Sequence, residues 1–356
     1  MGVDVKTLLN RAVTMVGNNQ PSDSPFKDGN NPGAWLGAVM GELAAKRRDK
    51  LTLIPSPAIS CFGAWVEQLV AESSGKEGKG ILPVHGEALL PPDSYAGDRL
   101  FVYLRLKGDV THDQDVQDLM KAGHPVVRID LQDLYDLGGE FFRWEMATVV
   151  AGHRLGINPF DQPNVEAAKV AAREMLASHE ENGKLPELTP TLKNNDISVF
   201  SDLDIASPED ALKSFLHQAR PGDGGNTRRA YVALQAYLEP SPELDEVLDL
   251  IRGKININFK VATTVGYGPR FLHSTGQLHK GDGGHGLFIQ LTDEISRDVD
   301  IPQAAGEKAS SISFGTLKLA QAMGDRQALL DADRKVIRFH FGKDVIAGLK
   351  RLEEAL

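Results

Sequence analysis

The chain has 356 residues, 41% hydrophobic and 25% charged, the proportions of a globular protein with room for two cores. A formal net charge of -10 excludes nucleic acid and anionic membrane surface as main partners, yet allows a small cationic pocket for a phosphorylated metabolite. A single cysteine, Cys61, excludes an internal disulfide, and no apolar run reaches the roughly 18 residues of a membrane span.

In chain order, the spacing of residues 3–16 predicts a helix, and the polar stretch GNNQPSDSPFKDGNNP (17–32) a loop. Asn31 and Pro32 mark the start of a second helix through AWLGAVMGELAAKRR. Short apolar runs follow at 51–54, 81–84, 99–106 and 125–131, separated by helical patterns, and predict a parallel, doubly wound α/β sheet. The apolar stretch 133–155 predicts a long helix packed on that sheet. Residues 183–204, rich in Pro, Thr and Asn, predict a boundary between a domain over 1–200 and a smaller α/β domain over 205–356. Strands are predicted there at 230–238, 259–266, 286–292 and 335–342, and helices from Pro208 and over 241–252, 314–323 and 344–356. The glycine-rich stretches RPGDGGNTRR (220–229) and HKGDGGHG (279–286) read as surface loops. The amino terminus has no basic lead and no continuous apolar stretch, so it does not read as a secretory signal, and the expected compartment is the cytoplasm.

The chemistry is concentrated between residues 51 and 84. A helix from near Cys61 buries Phe62, Trp65, Val66, Leu69 and Val70 as one stripe. Gln68 and Glu72, four apart, lie together at the edge of that stripe, where a side chain can enter the crevice beside an open sheet. Spacing alone favours a solvated helix flank for them.

Two motifs shift that balance. LVAESSGK with Gln68 ahead of it fits Q-x-x-x-E-S-x-G-K, and GINPFDQPNVEAAK (156–169) fits F-D-Q followed by G-V-E and a lysine, with Asn164 in place of the glycine. Both resemble the glucose-6-phosphate isomerase family, in the family's order, with FFRWE (141–145) as weaker support. The tail, with GYGPRFLHSTGQLHKG (266–281), resembles the isomerase half of bacterial transaldolase–isomerase fusion proteins.

The resemblance implies a second sugar-isomerase domain that interconverts glucose 6-phosphate and fructose 6-phosphate through a cis-enediol. It implies Glu72 as the base, Gln68 and Gln162 as substrate-binding residues, and Lys169 near the ring oxygen and enediolate. A helix opened by Pro163 would put Gln162 and Lys169 on one face, two turns apart. A sugar-phosphate substrate and a homodimer, or fusion to an upstream domain, are the implied partners.

The chain departs from the family in three places. Arg99 stands where the family has a ring-opening histidine supplied by the neighbouring subunit, and His85 lies nearby in another register. Arginine is a poor proton shuttle, so both residues are candidates for ring opening. The family's G-G-R-[FY]-S motif and its Ser/Thr-rich phosphate clamp, both upstream, are not matched, which reads as a fragment or truncated product. HSTGQLHKG (273–281) reads first as structural turn residues and second as a sugar or phosphate contact. His273 and His279 are poorly spaced for a metal, and neither G-x-G-x-x-G after a strand nor a P-loop is present. No metal and no cofactor are expected. The alternatives are a non-catalytic sugar-phosphate-binding module or a structural part of a transaldolase–isomerase fusion.

Overall fold

The computed structural model describes residues 2–20, 31–194, 196–219, 230–295, 297–307 and 310–356. Most of the expected 17–32 loop and all of the 220–229 stretch lie outside the described residues. The chain divides into two compact units, Met1–Gln162 with Gly281–Gly283, and Pro163–Lys280 with Gly284–Leu356.

The first unit runs α1 (Val5–Asn18), α2 (Pro32–Ala45), β1 (Lys50–Pro55), α3 (Cys61–Ser74), β2 (Leu82–Val84), β3 (Arg99–Leu106), α4 (Asp113–Lys121), β4 (Val126–Leu131) and α5 (Leu137–Leu155). Asn31 caps α2 from the left-handed region (φ 64), its side chain accepting from Ala34 N–H at 3.0 Å ahead of Pro32. The strands form a parallel sheet in the order β2-β1-β3-β4. Side-chain alternation sends Leu51, Leu53, Leu100, Val102 and Leu104 to one face, packed under Leu36, Val66 and Trp144 of α2, α3 and α5. Ile54, Phe101 and Tyr103 point to the other, against Val116 and Leu119 of α4. Helices α2 and α5 approach closely because Gly37 lacks a side chain: a Cβ there would collide with the Ala147 carbonyl.

The second unit contains α6 (Val165–Asn182), β5 (Leu192–Lys193), β6 (Ile197–Phe200), α7 (Pro208–Leu216), β7 (Tyr231–Tyr237), α8 (Pro242–Phe259), β8 (Ala262–Tyr267), α9 (Gly276–Gly281), β9 (Gly286–Asp293), β10 (Asp300–Ile301), β11 (Ile312–Ser313), α10 (Phe314–Asp331), β12 (Lys335–Phe341) and α11 (Val345–Glu354). Six strands order as β5-β6-β12-β9-β7-β8. The four strands from β12 to β8 are parallel, whereas β6 and β5 add on antiparallel. The stretch 183–204, expected as a boundary between domains, instead holds two strands of this sheet, with Phe200 opposite Arg338. The units divide at 162/163, and the second is not the smaller.

One face of this sheet is apolar: Val232, Leu234, Leu287, Ile289, Leu291, Ile337, Phe339 and Phe341 meet Leu212, Phe215, Leu248, Ile255 and Leu349 of α7, α8 and α11. The other face lies toward α10 and carries buried polar groups, and α10 in turn packs on α6 with Gly324 against Ala168 and Ala172. His279 sits among Tyr231, Phe271 and Phe288 with its Nδ1 3.5 Å from Gln235 Nε2. Burial, with Lys280 and Arg334 adding to it, holds His279 well below the ordinary imidazole range, so it is neutral in the fold. The unfolded chain binds a proton there near pH 6.5, so folded stability falls as pH drops below that value. We expect urea unfolding at pH 5 to give a lower stability than at pH 7.5, and His279→Gln to flatten that acid limb. An unchanged acid limb in the variant would show that other groups set it.

Candidate active site

Helix α3 leaves the end of β1 through the turn at Ser56–Ile59 and runs back along the sheet, burying Phe62, Val66 and Val70. Each such side chain contributes about 1.5–3 kcal/mol of burial. Phe62 and Trp65 also cluster with Phe141 of α5, with ring centroids 5.3 Å, 5.3 Å and 4.7 Å apart. That packing fixes the rotation of α3. It leaves Gln68 exposed and Glu72 half-buried on one flank, with a long 3.5 Å contact from Gln68 Nε2 to Glu72 Oε2. The pair stands at the helix edge, as the spacing predicts.

Just beyond Glu72 the chain turns tightly into β2. Ser74 Oγ accepts from Ile81 N–H at 3.0 Å, and Gly78 takes φ +73, which favours glycine. Between them Lys76 is completely buried. Its ammonium donates to the Asn158 carbonyl at 2.8 Å, to the Asp161 carboxylate at 2.9 Å, and to the Asp161 carbonyl. Three donors thus meet three acceptors. The contact ties the end of the first motif to the loop that delivers Phe160, Asp161 and Gln162, all exposed. Sequence reasoning gave Lys76 no role. The signal was present in a lysine ending the motif inside a glycine-rich turn.

Within the first unit, Arg99 and His85 are not gathered around Glu72. Arg99 opens β3 and points to the α4 side of the sheet, so the sheet lies between it and α3. It is 1% exposed, with Nη1 and Nη2 each 3.0 Å from the Glu87 carboxylate and Nη1 2.8 Å from Thr52 Oγ1. Burial opposes its charge, but Glu87 and Asp98 outweigh that and hold the guanidinium above its ordinary pKa. His85 is half-buried, its ring pressed on Gly63 in the first turn of α3. Nine residues of helix, about 13 Å at 1.5 Å per residue, separate that turn from Glu72.

Gln162 and Lys169 do not share a helical face. Helix α6 opens at Val165 after Asn164, not at Pro163, so Gln162 precedes it and closes the first unit. Lys169 lies on α6 in the second unit, exposed, with its ammonium 3.8 Å from Glu166. Gln277 of the HSTGQLHKG segment supports the start of that helix. Its Oε1 accepts from Asn164 N–H and its Nε2 donates to Asn164 Oδ1, both at 2.9 Å. His279 and Lys280 of the same segment are buried, and Lys280 pairs with Asp325 at 2.6 Å. Among the described residues no three His, Cys, Asp or Glu side chains group as a metal site requires.

This geometry defines an α/β protein with an acid-bearing helix edge joined to a second motif by a buried lysine. No protein-family model matches the chain. It is 31% identical over 211 residues to a probable glucose-6-phosphate isomerase of Methanococcus maripaludis, covering 49% of this chain and 47% of that relative. It is 30% identical over 211 residues to the glucose-6-phosphate isomerase of Rubrobacter xylanophilus, and 24% identical over 208 residues to that of Parabacteroides distasonis. These matches cover 47% and 46% of the two relatives and 47% of this chain in each case. The chain spans about half the length of the curated relatives it matches, and over that span it is similar to glucose-6-phosphate isomerases. Among solved structures, a hypothetical protein from Thermus thermophilus matches at 14% identity and TM-score 0.32, covering 99% of this chain and 87% of its own. A glucose-6-phosphate isomerase from Chlamydia trachomatis matches at 12% identity and TM-score 0.27, covering 98% of this chain and 71% of its own. At such scores neither likeness bears on the site.

Arg99 supplies a stability test. Arg99→Met removes the bidentate guanidinium partner of the buried Glu87 carboxylate, at a cost of about 3–5 kcal/mol. Urea denaturation measures this directly, and a loss under about 1 kcal/mol would show that the pair is not buried in solution.

Proposed function

We propose that the chain carries the base-bearing part of a glucose-6-phosphate isomerase, with the phosphate clamp supplied from outside these residues. The observation that supports this is the Gln68–Glu72 pair, one turn ahead of the Lys76 contact that ties the first motif to the loop carrying Phe160, Asp161 and Gln162 of the second. In this reading Glu72 takes the C2 proton of the open aldose phosphate while the carbonyl electrons move to O1. The resulting cis-enediol receives the proton back at C1, and the O2 hydroxyl proton passes to O1. A carboxylate suits both transfers because it remains ionised near neutrality and keeps the proton close. Gln68 and Gln162 hold substrate hydroxyls without competing for the proton. The family resemblance gives Lys169 the role of supplying positive charge to the developing enediolate, a contribution specific to the transition state.

Ring opening is assigned to a second copy of the chain, as the family resemblance implies. His85 suits it better than Arg99, since histidine titrates near neutrality and Arg99 is already held by Glu87.

In the complete natural polypeptide, Glu72→Gln should lower turnover of fructose 6-phosphate by about 10²–10⁴, with KM within about threefold, and should abolish solvent exchange of the deuteron of glucose 6-phosphate labelled at C2. Exchange retained in the variant would identify another base. Tight binding of fructose 6-phosphate by the wild type with no turnover would favour the binding-module reading.

A further inference from the structure

The polar face of the second sheet contains an uncompensated pair of arginines. Gln235, Gln290 and Arg338 form a row across β7, β9 and β12, on the face opposite Leu234, Ile289 and Ile337. Arg338 is 6% exposed, and its Nε and Nη1 are buried with no hydrogen-bonding partner among the described residues. Its guanidinium stacks on Phe200 at 4.2 Å, which orients it but accepts none of its protons. Helix α10 covers this row, with Gln290 Nε2 donating to the Ala322 carbonyl at 3.0 Å. One turn beyond Ala322, Arg326 is only partly buried, yet its Nε is also buried without a partner among the described residues.

The two charges bear on each other. Burial, and then Arg326, pushes Arg338 down to about 10. Burial lowers Arg326, with Asp202 acting in the opposite direction. Among the described residues, none of the neighbouring acids forms an ion pair with either arginine. Asp202 is exposed and forms no ion pair with Arg326, Asp293 is held by Lys318 at 3.0 Å, and Asp325 by Lys280 at 2.6 Å. His340, beside Arg338 on the same face, is held below the ordinary imidazole range by burial and by Arg338, which favours its neutral form, and an imidazole brings no negative charge to the pair. A buried guanidinium without an acceptor carries a large penalty, which an anion from solution would remove.

We propose that Arg326 and Arg338 form an anion site that takes a phosphate group. Two guanidinium forks match the oxygens of phosphate, and two unneutralised positive charges suit a group carrying nearly two negative ones better than a single carboxylate. Arg326 is partly exposed to solvent, and Phe200 stacks on Arg338. None of the residues assigned to isomerisation takes part, so the proposal stands or falls apart from that assignment.

Thermal unfolding at constant ionic strength tests this, with inorganic phosphate against chloride. Phosphate should raise the wild-type melting temperature by several degrees more than chloride does. Arg338→Met should abolish that rise and melt higher than the wild type in chloride, because the stranded charge is gone. Arg326→Gln, at the more exposed residue, should weaken half-saturation by phosphate about tenfold or more with the fold intact, and this arm decides the matter if Arg338→Met does not fold. A phosphate rise that survives in both variants would place the bound phosphate elsewhere and overturn the proposal. Equal stabilisation by chloride and phosphate would show an adventitious ion only. A larger Arg326-dependent rise with fructose 6-phosphate than with inorganic phosphate would identify a phosphate monoester as the natural source, and equal rises would identify free phosphate.

Discussion

A buried ammonium organises the first unit. Taking a lysine out of water costs several kcal/mol unless each of its three protons finds an acceptor. Lys76 meets that condition with two carbonyls and a carboxylate, all from the 158–161 loop. The turn from α3 into β2 and the loop leading to Gln162 therefore cannot move apart without stranding a charge. Glu72 lies one turn before that anchor and Gln162 one residue after it, so their separation is set by the most constrained contact nearby. Asp161 is itself half-exposed, which keeps the carboxylate solvated and the pair inexpensive on that side.

The sheet of the first unit then decides which candidates can cooperate within one chain. Alternation along β3 sends Leu100 and Val102 toward α3 and Arg99 toward α4. A strand gives its first residue no freedom to choose, so Arg99 is committed to Thr52 and Glu87 on the far face whatever chemistry its position suggests. His85 is on the nearer side but at the wrong end of α3. With Glu72 on one flank of α3, Arg99 behind the sheet and His85 far along the helix, these candidates are not brought together within the first unit. That is why a second copy carries ring opening in the proposed mechanism.

Much of this was legible beforehand. Runs such as RLFVYLRL and PVVRIDL read as strands because apolar and β-branched residues fill them, and β3 spans residues 99–106 as expected. The Gln68–Glu72 flank followed from helical periodicity once Phe62, Val66 and Val70 were taken as the buried stripe. Strands β5 and β6 were not legible, because two- and four-residue strands among Pro, Thr and Asn carry no periodic signal: β6 exists by pairing with β12, more than a hundred residues away, and β5 by pairing with β6. The start of α6 was misplaced since Pro163 is a good first helical residue. What holds Asn164 there is the side chain of Gln277, a contact with no local signature.

The polar face of the second sheet was hidden for a related reason. AYVALQAYL and GLFIQLT read as continuous apolar strands, and one glutamine in each looks incidental. Register makes them adjacent and sets Arg338 beside Gln290. The unfavourable burial of one polar residue becomes the burial of a row, while the opposite face of the same strands stays wholly apolar. Stability alone would not produce that contrast, because an apolar row beneath α10 would pack as well without the desolvation cost. Within that row Gln290 donates to the Ala322 carbonyl, whereas Arg338 has donors without acceptors among the described residues, and the anion proposed above would supply them.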